Sequence, residues 1–155
     1  MDLILWRHAQ AHLLRDNETD LDRRLTTKGE RQAQRMAVWL NQRLPDSTRV
    51  LVSPAQRCQQ TAAALGRIFK TVETLGPECG VDDLLQAARW PTAAEPVLVV
   101  GHQPTLGLVA AQLICGLPQA WSVKKGAVWW LRQRENEEGR VSEVTLQAVQ
   151  GPDCL

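Results

Sequence analysis

Two arginines and two histidines stand where three short aliphatic runs end. Leu3-Ile4-Leu5-Trp6 leads into Arg7-His8-Ala9, Val50-Leu51-Val52 into Ser53-Pro54-Ala55-Gln56-Arg57, and Val97-Leu98-Val99-Val100 into Gly101-His102-Gln103-Pro104. A guanidinium offers a planar fork of donors that matches the oxygens of a phosphoryl group, whereas a lysine offers only a point charge. A neutral imidazole can attack phosphorus and hold the group covalently. A second imidazole can donate to an oxygen on which charge develops in the transition state. Taken singly, each piece has a plainer explanation: an exposed strand end, a helix start, a solvated helix arginine, a turn histidine. The shared layout of the three segments outweighs those explanations and points to an anion site with a nucleophile.

The elements that must position these groups follow from the pattern of the chain. Residues 2–7 read as a buried strand, because the run is continuous rather than alternating. Residues 10–27 are polar and read as a loop. A helix is expected from Lys28 to Arg43, with Ala33, Met36, Ala37, Leu40 and Leu44 at helical spacing and Pro45 ending it. Val50–Val52 is a second strand, with Ser53 as N-cap and Pro54 as first helical residue of a helix running to Lys70. A short strand is expected over Thr71–Leu75 and a short helix over Asp82–Ala88, with Asp82 as its cap. Pro96–Gly101 is the clearest strand. Pro104 opens a helix that Gly116 and Pro118 stop after Cys115. Ala127–Arg132 and Val141–Val149 suit an antiparallel hairpin closed by Asn136-Glu137-Glu138-Gly139.

Strands alternating with helices imply an α/β fold with a largely parallel central sheet. Ligands of such folds sit at the carboxyl ends of the strands, where Arg7, His8, Arg57 and His102 fall. Pro54 and Pro104 also place two helix N-termini near the same end, and their free N–H groups favour anions.

Composition narrows the class. The chain has 155 residues, enough for one domain spanning 1–155. A net charge of +1 provides no bulk field for nucleic acid or anionic lipid, so any cationic site is local. Cys58, Cys79, Cys115 and Cys154 form no C-x-x-C pair, so reduced, buried thiols are expected rather than a zinc site or a disulfide framework. The first apolar run is too short and too interrupted for a signal peptide, and no run approaches a membrane span. A cytoplasmic monomer without cofactor or metal is expected. Six tryptophans and no tyrosine are unusual. Trp6 is expected beneath the pocket, and the neighbours Trp129 and Trp130 on opposite faces of a strand.

The ordered segments resemble the histidine phosphatase superfamily, the phosphoglycerate mutase-like fold. Arg7-His8-Ala9 is similar to its Arg-His-Gly signature, with alanine in the third place. Leu25-Thr26-Thr27-Lys28-Gly29-Glu30-Arg31-Gln32-Ala33 resembles its Leu-Thr-x-x-Gly-x-x-Gln-Ala segment. Ser53-Pro54-Ala55-Gln56-Arg57 with Thr61 resembles its Ser-Pro-x-x-Arg-x-x-x-Thr helix, and Val100-Gly101-His102 its second histidine motif. The resemblance implies a three-layer α/β/α fold. It implies His8 as the phospho-accepting nucleophile, with Arg7, Arg57 and His102 completing the catalytic set. It places Arg23, Ser53 and Gln103 among the substrate-binding residues, with Arg24 an alternative to Arg23.

The short chain lacks the insertions that cover the pocket in mutases and sugar phosphatases, and it resembles the compact bacterial phosphohistidine phosphatases of the SixA type. A phosphohistidine leaves as an imidazole with an ordinary pKa of about 6.5, so it needs little acid help. That suits a chain whose intervening carboxylates, Glu73, Glu78, Asp82 and Asp83, occupy no acid motif and read as surface or capping groups. The expected substrate is a phosphohistidine on a partner protein, a histidine phosphotransfer domain or a phosphotransferase-system protein. The rivals are a small-molecule phosphomonoesterase of the same fold, with Glu78 or Asp82 as acid, and a non-catalytic phosphate-binding module.

Overall fold

The computed structural model describes residues 1–135, 138 and 141–155. Its centre is a six-stranded sheet in the order β3-β2-β4-β1-β5-β6. The strands are β1 (Asp2–Arg7), β2 (Arg49–Val52), β3 (Lys70–Thr71), β4 (Val97–Gly101), β5 (Val128–Glu135) and β6 (Val141–Gln150). The first four run parallel, while β5 lies antiparallel to β1 and β6 antiparallel to β5. Helices α1 (Thr27–Asn41), α2 (Gln56–Ala63), α3 (Val81–Ala88) and α4 (Thr105–Cys115) complete it.

Strand periodicity divides the core into two layers, because successive side chains leave opposite faces of a strand. Ile4, Trp6, Val50, Val52, Leu98 and Val100 face α1 and α2, where they meet Met36, Leu40, Cys58 and Ala62. Leu3, Leu5, Leu51, Val97 and Val99 face α3 and α4, where they meet Leu84, Leu106 and Val109. A sheet covered on both faces needs apolar residues at every position, which is why β1 and β4 read as unbroken runs. The expected three-layer α/β/α architecture is the one observed. Among the described residues, no helix is long and apolar enough to cross a membrane.

Several boundaries differ from the sequence reading. Helix α2 starts at Gln56, with Ala55 as its cap; the Ser53 hydroxyl accepts from the Ala55 N–H at 3.2 Å and also meets His102 Nε2. It ends at Ala63 rather than Lys70: the chain turns at Gly66 (φ +67°), and Ile68 is left exposed rather than buried. The third strand is only Lys70–Thr71, and the chain then coils into a 3-10 turn over Glu73–Leu75 that buries Leu75. Helix α3 is capped at Gly80, whose N–H donates to Asp83 Oδ2 at 2.8 Å, so Asp83 and not Asp82 fills the capping role. The expected turn at Asn136-Glu137-Glu138-Gly139 lies, Glu138 apart, outside the described residues. Of the four free cysteines only Cys58 is buried; Cys79 is half-buried, and Cys115 and Cys154 are exposed.

The tryptophans support the frame. Trp6 is fully buried, and its Nε1 donates to Gly126 O at 2.9 Å. Trp129 and Trp130 do face opposite ways, toward Trp121 (ring centroids 6.0 Å apart) and Trp39 (6.5 Å) respectively.

Candidate active site

Parallel pairing of β1 with β4 and of β4 with β2 aligns the ends of all three strands. Arg7 is in register with Gly101, and Val52 with Val100. The residues that follow, His8, Ser53 and His102, therefore emerge together. The His8 N–H donates to Gly101 O at 3.1 Å, and the Ser53 N–H to Val100 O at 3.1 Å, which continues the ladder past the strands proper. His8 is held from two further sides. The Gly126 N–H donates to its carbonyl at 3.1 Å, and the next amide, Ala9 N–H, donates to Thr61 Oγ1 at 3.1 Å. Thr61 in turn donates to Arg57 O at 2.6 Å.

The α1 segment locks the exit of β1. Thr26 caps α1 by accepting from the Gly29 N–H, and Gln32 Oε1 accepts from the Gln10 N–H at 2.9 Å. Gly29 sits so close to this exit that a Cβ there would collide with the Gln10 carbonyl oxygen. The threonine, glycine and glutamine of the Leu25–Ala33 motif thus have one shared purpose, to fix the chain just beyond His8.

The His8 ring is held by a hydrogen bond from Nδ1 to Ala9 O at 2.8 Å. A carbonyl can only accept, so Nδ1 carries the proton and Nε2 keeps its lone pair. No hydrogen bond to a described residue occupies Nε2. Burial lowers the His8 pKa to about 3; the Ala9 hydrogen bond opposes that, and the positive charges of Arg57 and Arg7 reinforce it. His8 is therefore a neutral, oriented imidazole at neutral pH. The His102 ring lies 5.4 Å from it, centroid to centroid. Burial, with Arg57 adding to it, lowers His102 to about 4.

His102 Nε2 is 2.7 Å from Ser53 Oγ, while Nδ1 faces Arg57 Nη2 at 3.4 Å. Ser53 is fully buried and turned to His102, so its side chain orients that ring. Arg57 is buried too. Its Nη1 donates to Asp20 O at 2.8 Å and its Nη2 to Asp20 Oδ2 at 3.0 Å. Arg7 Nη1 donates to Val123 O at 2.9 Å. The Nε groups of Arg7 and Arg57 are buried without a partner among the described residues, an expensive state unless an anion accepts from them.

Of the adjacent pair, Arg23 is the one drawn to the cluster. It donates from Nε to His12 O at 2.8 Å and from Nη1 to Asp20 Oδ1 at 3.1 Å, whereas Arg24 is exposed. Gln103 is turned away. Its Nε2 donates to Trp121 O and its Oε1 accepts from the Gly107 N–H, both at 2.8 Å. It ties the loop before β5 to α4, and Gly107 permits this because a Cβ there would strike Trp121 O. Asp20 was not foreseen from the sequence, where its sole mark is an Asp-x-x-Arg spacing to Arg23 inside a polar loop. Beside it opens a cleft of about 430 Å³ bordered by Asp20, Leu21, Pro54, Glu73, Pro77 and Glu78. Two of the four candidate acids, Glu73 and Glu78, therefore flank the cluster without entering it.

This arrangement has known counterparts. Residues 3–76 match the family model described as histidine phosphatase superfamily (branch 1). Phosphohistidine phosphatase SixA of Escherichia coli (strain K12) is 35% identical over 125 residues, covering 75% of this chain and 76% of that protein. The SixA homolog of Haemophilus influenzae is 28% identical over 129 residues, covering 73% and 77%. The solved structure of the protein histidine phosphatase SixA complexed with tungstate superposes with a TM-score of 0.77 at 27% identity, covering 99% of each chain. The chain belongs to the histidine phosphatase superfamily, in its SixA-type branch, and is a phosphatase.

Proposed function

We propose that this chain, as one cytoplasmic catalytic domain over residues 1–155, hydrolyses phosphohistidine on a signalling or phosphotransfer protein. The observation that carries the reading is the His8 ring, neutral by burial and pinned through Nδ1–H with Nε2 free. In the first step Nε2 attacks phosphorus and the P–N bond to the substrate imidazole breaks. The departing imidazole takes a proton from solvent water, and His8 carries the phosphoryl group on Nε2. In the second step water attacks the same phosphorus, releasing phosphate and restoring His8.

Arg7, Arg57 and Arg23 supply the positive charge, in place of a metal, and the unpartnered Nε groups of Arg7 and Arg57 are donors available to the phosphoryl oxygens. His102 faces the cluster through Nδ1. The Ser53 hydroxyl can accept from Nε2–H or donate to a bare Nε2. The ring can thus accept from Arg57 in the free protein and donate from Nδ1 to an anion, without leaving its place. Ser53 and Gln103 then contribute by positioning rather than by touching substrate. Leaving-group chemistry favours phosphohistidine, because an imidazole departs without the strong acid that an alkoxide requires.

A second reading, hydrolysis of small phosphate esters, draws on Glu73 and Glu78 at the rim of the adjoining cleft. The test is phosphate release from a phosphohistidine-bearing protein, wild type against His8→Ala. Release that disappears in the variant is the expected result. No release from wild type, together with ester hydrolysis that Glu78→Gln abolishes, would replace the proposal with the second reading.

A further inference from the structure

The Arg57 guanidinium, which the proposed function assigns to the phosphoryl group, already holds an internal anion. Asp20 meets it through both its main-chain oxygen and its carboxylate, and the other carboxylate oxygen meets Arg23. Asp20 thus bridges two of the three arginines of the cluster, as a phosphoryl group would. The surroundings of the two partners are unequal. The Arg57 side chain is 4% exposed and fixed, whereas that of Asp20 is 49% exposed. Asp20 sits in a 3-10 turn of three residues, Asp20–Asp22, none of them buried, and the turn borders the open cleft. The carboxylate can therefore withdraw from Arg57 into solvent at little packing cost.

Resting on the proposed function, we infer that Asp20 is a gating carboxylate: it occupies the Arg57–Arg23 site in the free enzyme and is displaced by the incoming phosphoryl group. Two physical consequences follow. A small anion must break two charge-assisted hydrogen bonds and displace a negative charge, with only its own charge to set against them. A phosphoryl group carried on a protein brings further contacts to the same exchange. Asp20 therefore discriminates against free phosphate, the reaction product, and against small phosphate esters. The turn's main-chain bond from Asp20 O to Arg57 remains when the carboxylate leaves, so the arginine keeps one anchor.

The experiment measures orthophosphate binding by calorimetry to the full chain, to Asp20→Asn and to Asp20→Ala, with release from a phosphohistidine-bearing protein assayed on the same samples. The isosteric Asn variant keeps the shape of the turn if the Ala variant proves unstable, and thermal melting checks both. Orthophosphate binding tighter by roughly tenfold in the variants is expected, the scale of one hydrogen bond to a charged group. Turnover of small phosphate esters should rise with it. Orthophosphate binding that is unchanged or weaker in both folded variants would overturn the gate and leave Asp20 as a positioning residue for Arg57. If wild type still releases phosphate from the phosphoprotein in that case, the proposed function stands and the gate alone fails. Absence of both binding and release would remove the two together.

Discussion

Ser53 Oγ lies 2.7 Å from His102 Nε2, and both groups are buried. This contact joins the end of β2 to the end of β4 and orients an imidazole in the site. Ser53→Ala leaves Nε2 with only the weak contact to Cys58 Sγ at 3.5 Å, a loss worth about 1–3 kcal/mol for a buried polar group. Thermal melting should show that destabilisation. Steady-state kinetics should show kcat reduced by roughly tenfold, the share expected when a catalytic group is no longer oriented.

His8 should carry the phosphoryl group. Rapid quench of wild type with phosphohistidine protein into alkali, followed by mass spectrometry, is expected to find phosphate on the His8 peptide. His8→Asn should yield no adduct and lose at least about 10³-fold in kcat.

Arg57 illustrates why a fork differs from a point charge. Arg57→Ala is expected to lower kcat/KM by about 10²–10³-fold, as for other groups that stabilise transition-state charge. Arg57→Lys should recover little of it, because a lysine cannot keep both the Asp20 main-chain contact and the contact to His102. Activity of Arg57→Lys within a few-fold of wild type would show that charge alone suffices.

Both site histidines are buried neutral, which makes stability depend on pH in a definite direction. Their folded pKa values, about 3 for His8 and about 4 for His102, lie below the unfolded value of about 6.5. The unfolded chain therefore binds more protons as pH falls below about 6.5, so stability is present above that value and declines on acidification toward about 4. Each histidine contributes a slope of about 1.4 kcal/mol per pH unit in that window. Denaturant midpoints between pH 6.5 and 4.5 should show the decline, and His8→Asn should remove about half of the histidine part.

Gly107 tests the long loop before β5. A methyl group there drives Trp121 O away and disturbs the segment that brings Val123 O to Arg7 and Gly126 N–H to His8. Gly107→Ala should destabilise the fold by about 1–3 kcal/mol, as overpacking does. It should also lower activity more than that loss of stability alone explains.

The order of elements, the α/β class and the gathering of Arg7, His8, Arg57 and His102 were legible in the sequence. The reason is that buried parallel strands are continuous aliphatic runs, and their carboxyl ends are where such folds place ligands. The Leu25–Ala33 motif was legible as a pattern, but its purpose emerged only when Gly29 and Gln32 were seen against Gln10. The choice of Arg23 over Arg24, the turning of Ser53 to His102 and the diversion of Gln103 to Trp121 needed the tertiary structure. So did Asp20 and the carbonyl of Val123, which reach Arg57 and Arg7 across 37 and 116 residues of chain. Periodicity reports which face of an element is buried. Backbone carbonyls have no side-chain signature, and a polar loop residue carries no sign of which buried cation it will meet. Those partners are set by how the loops close over the ends of the strands.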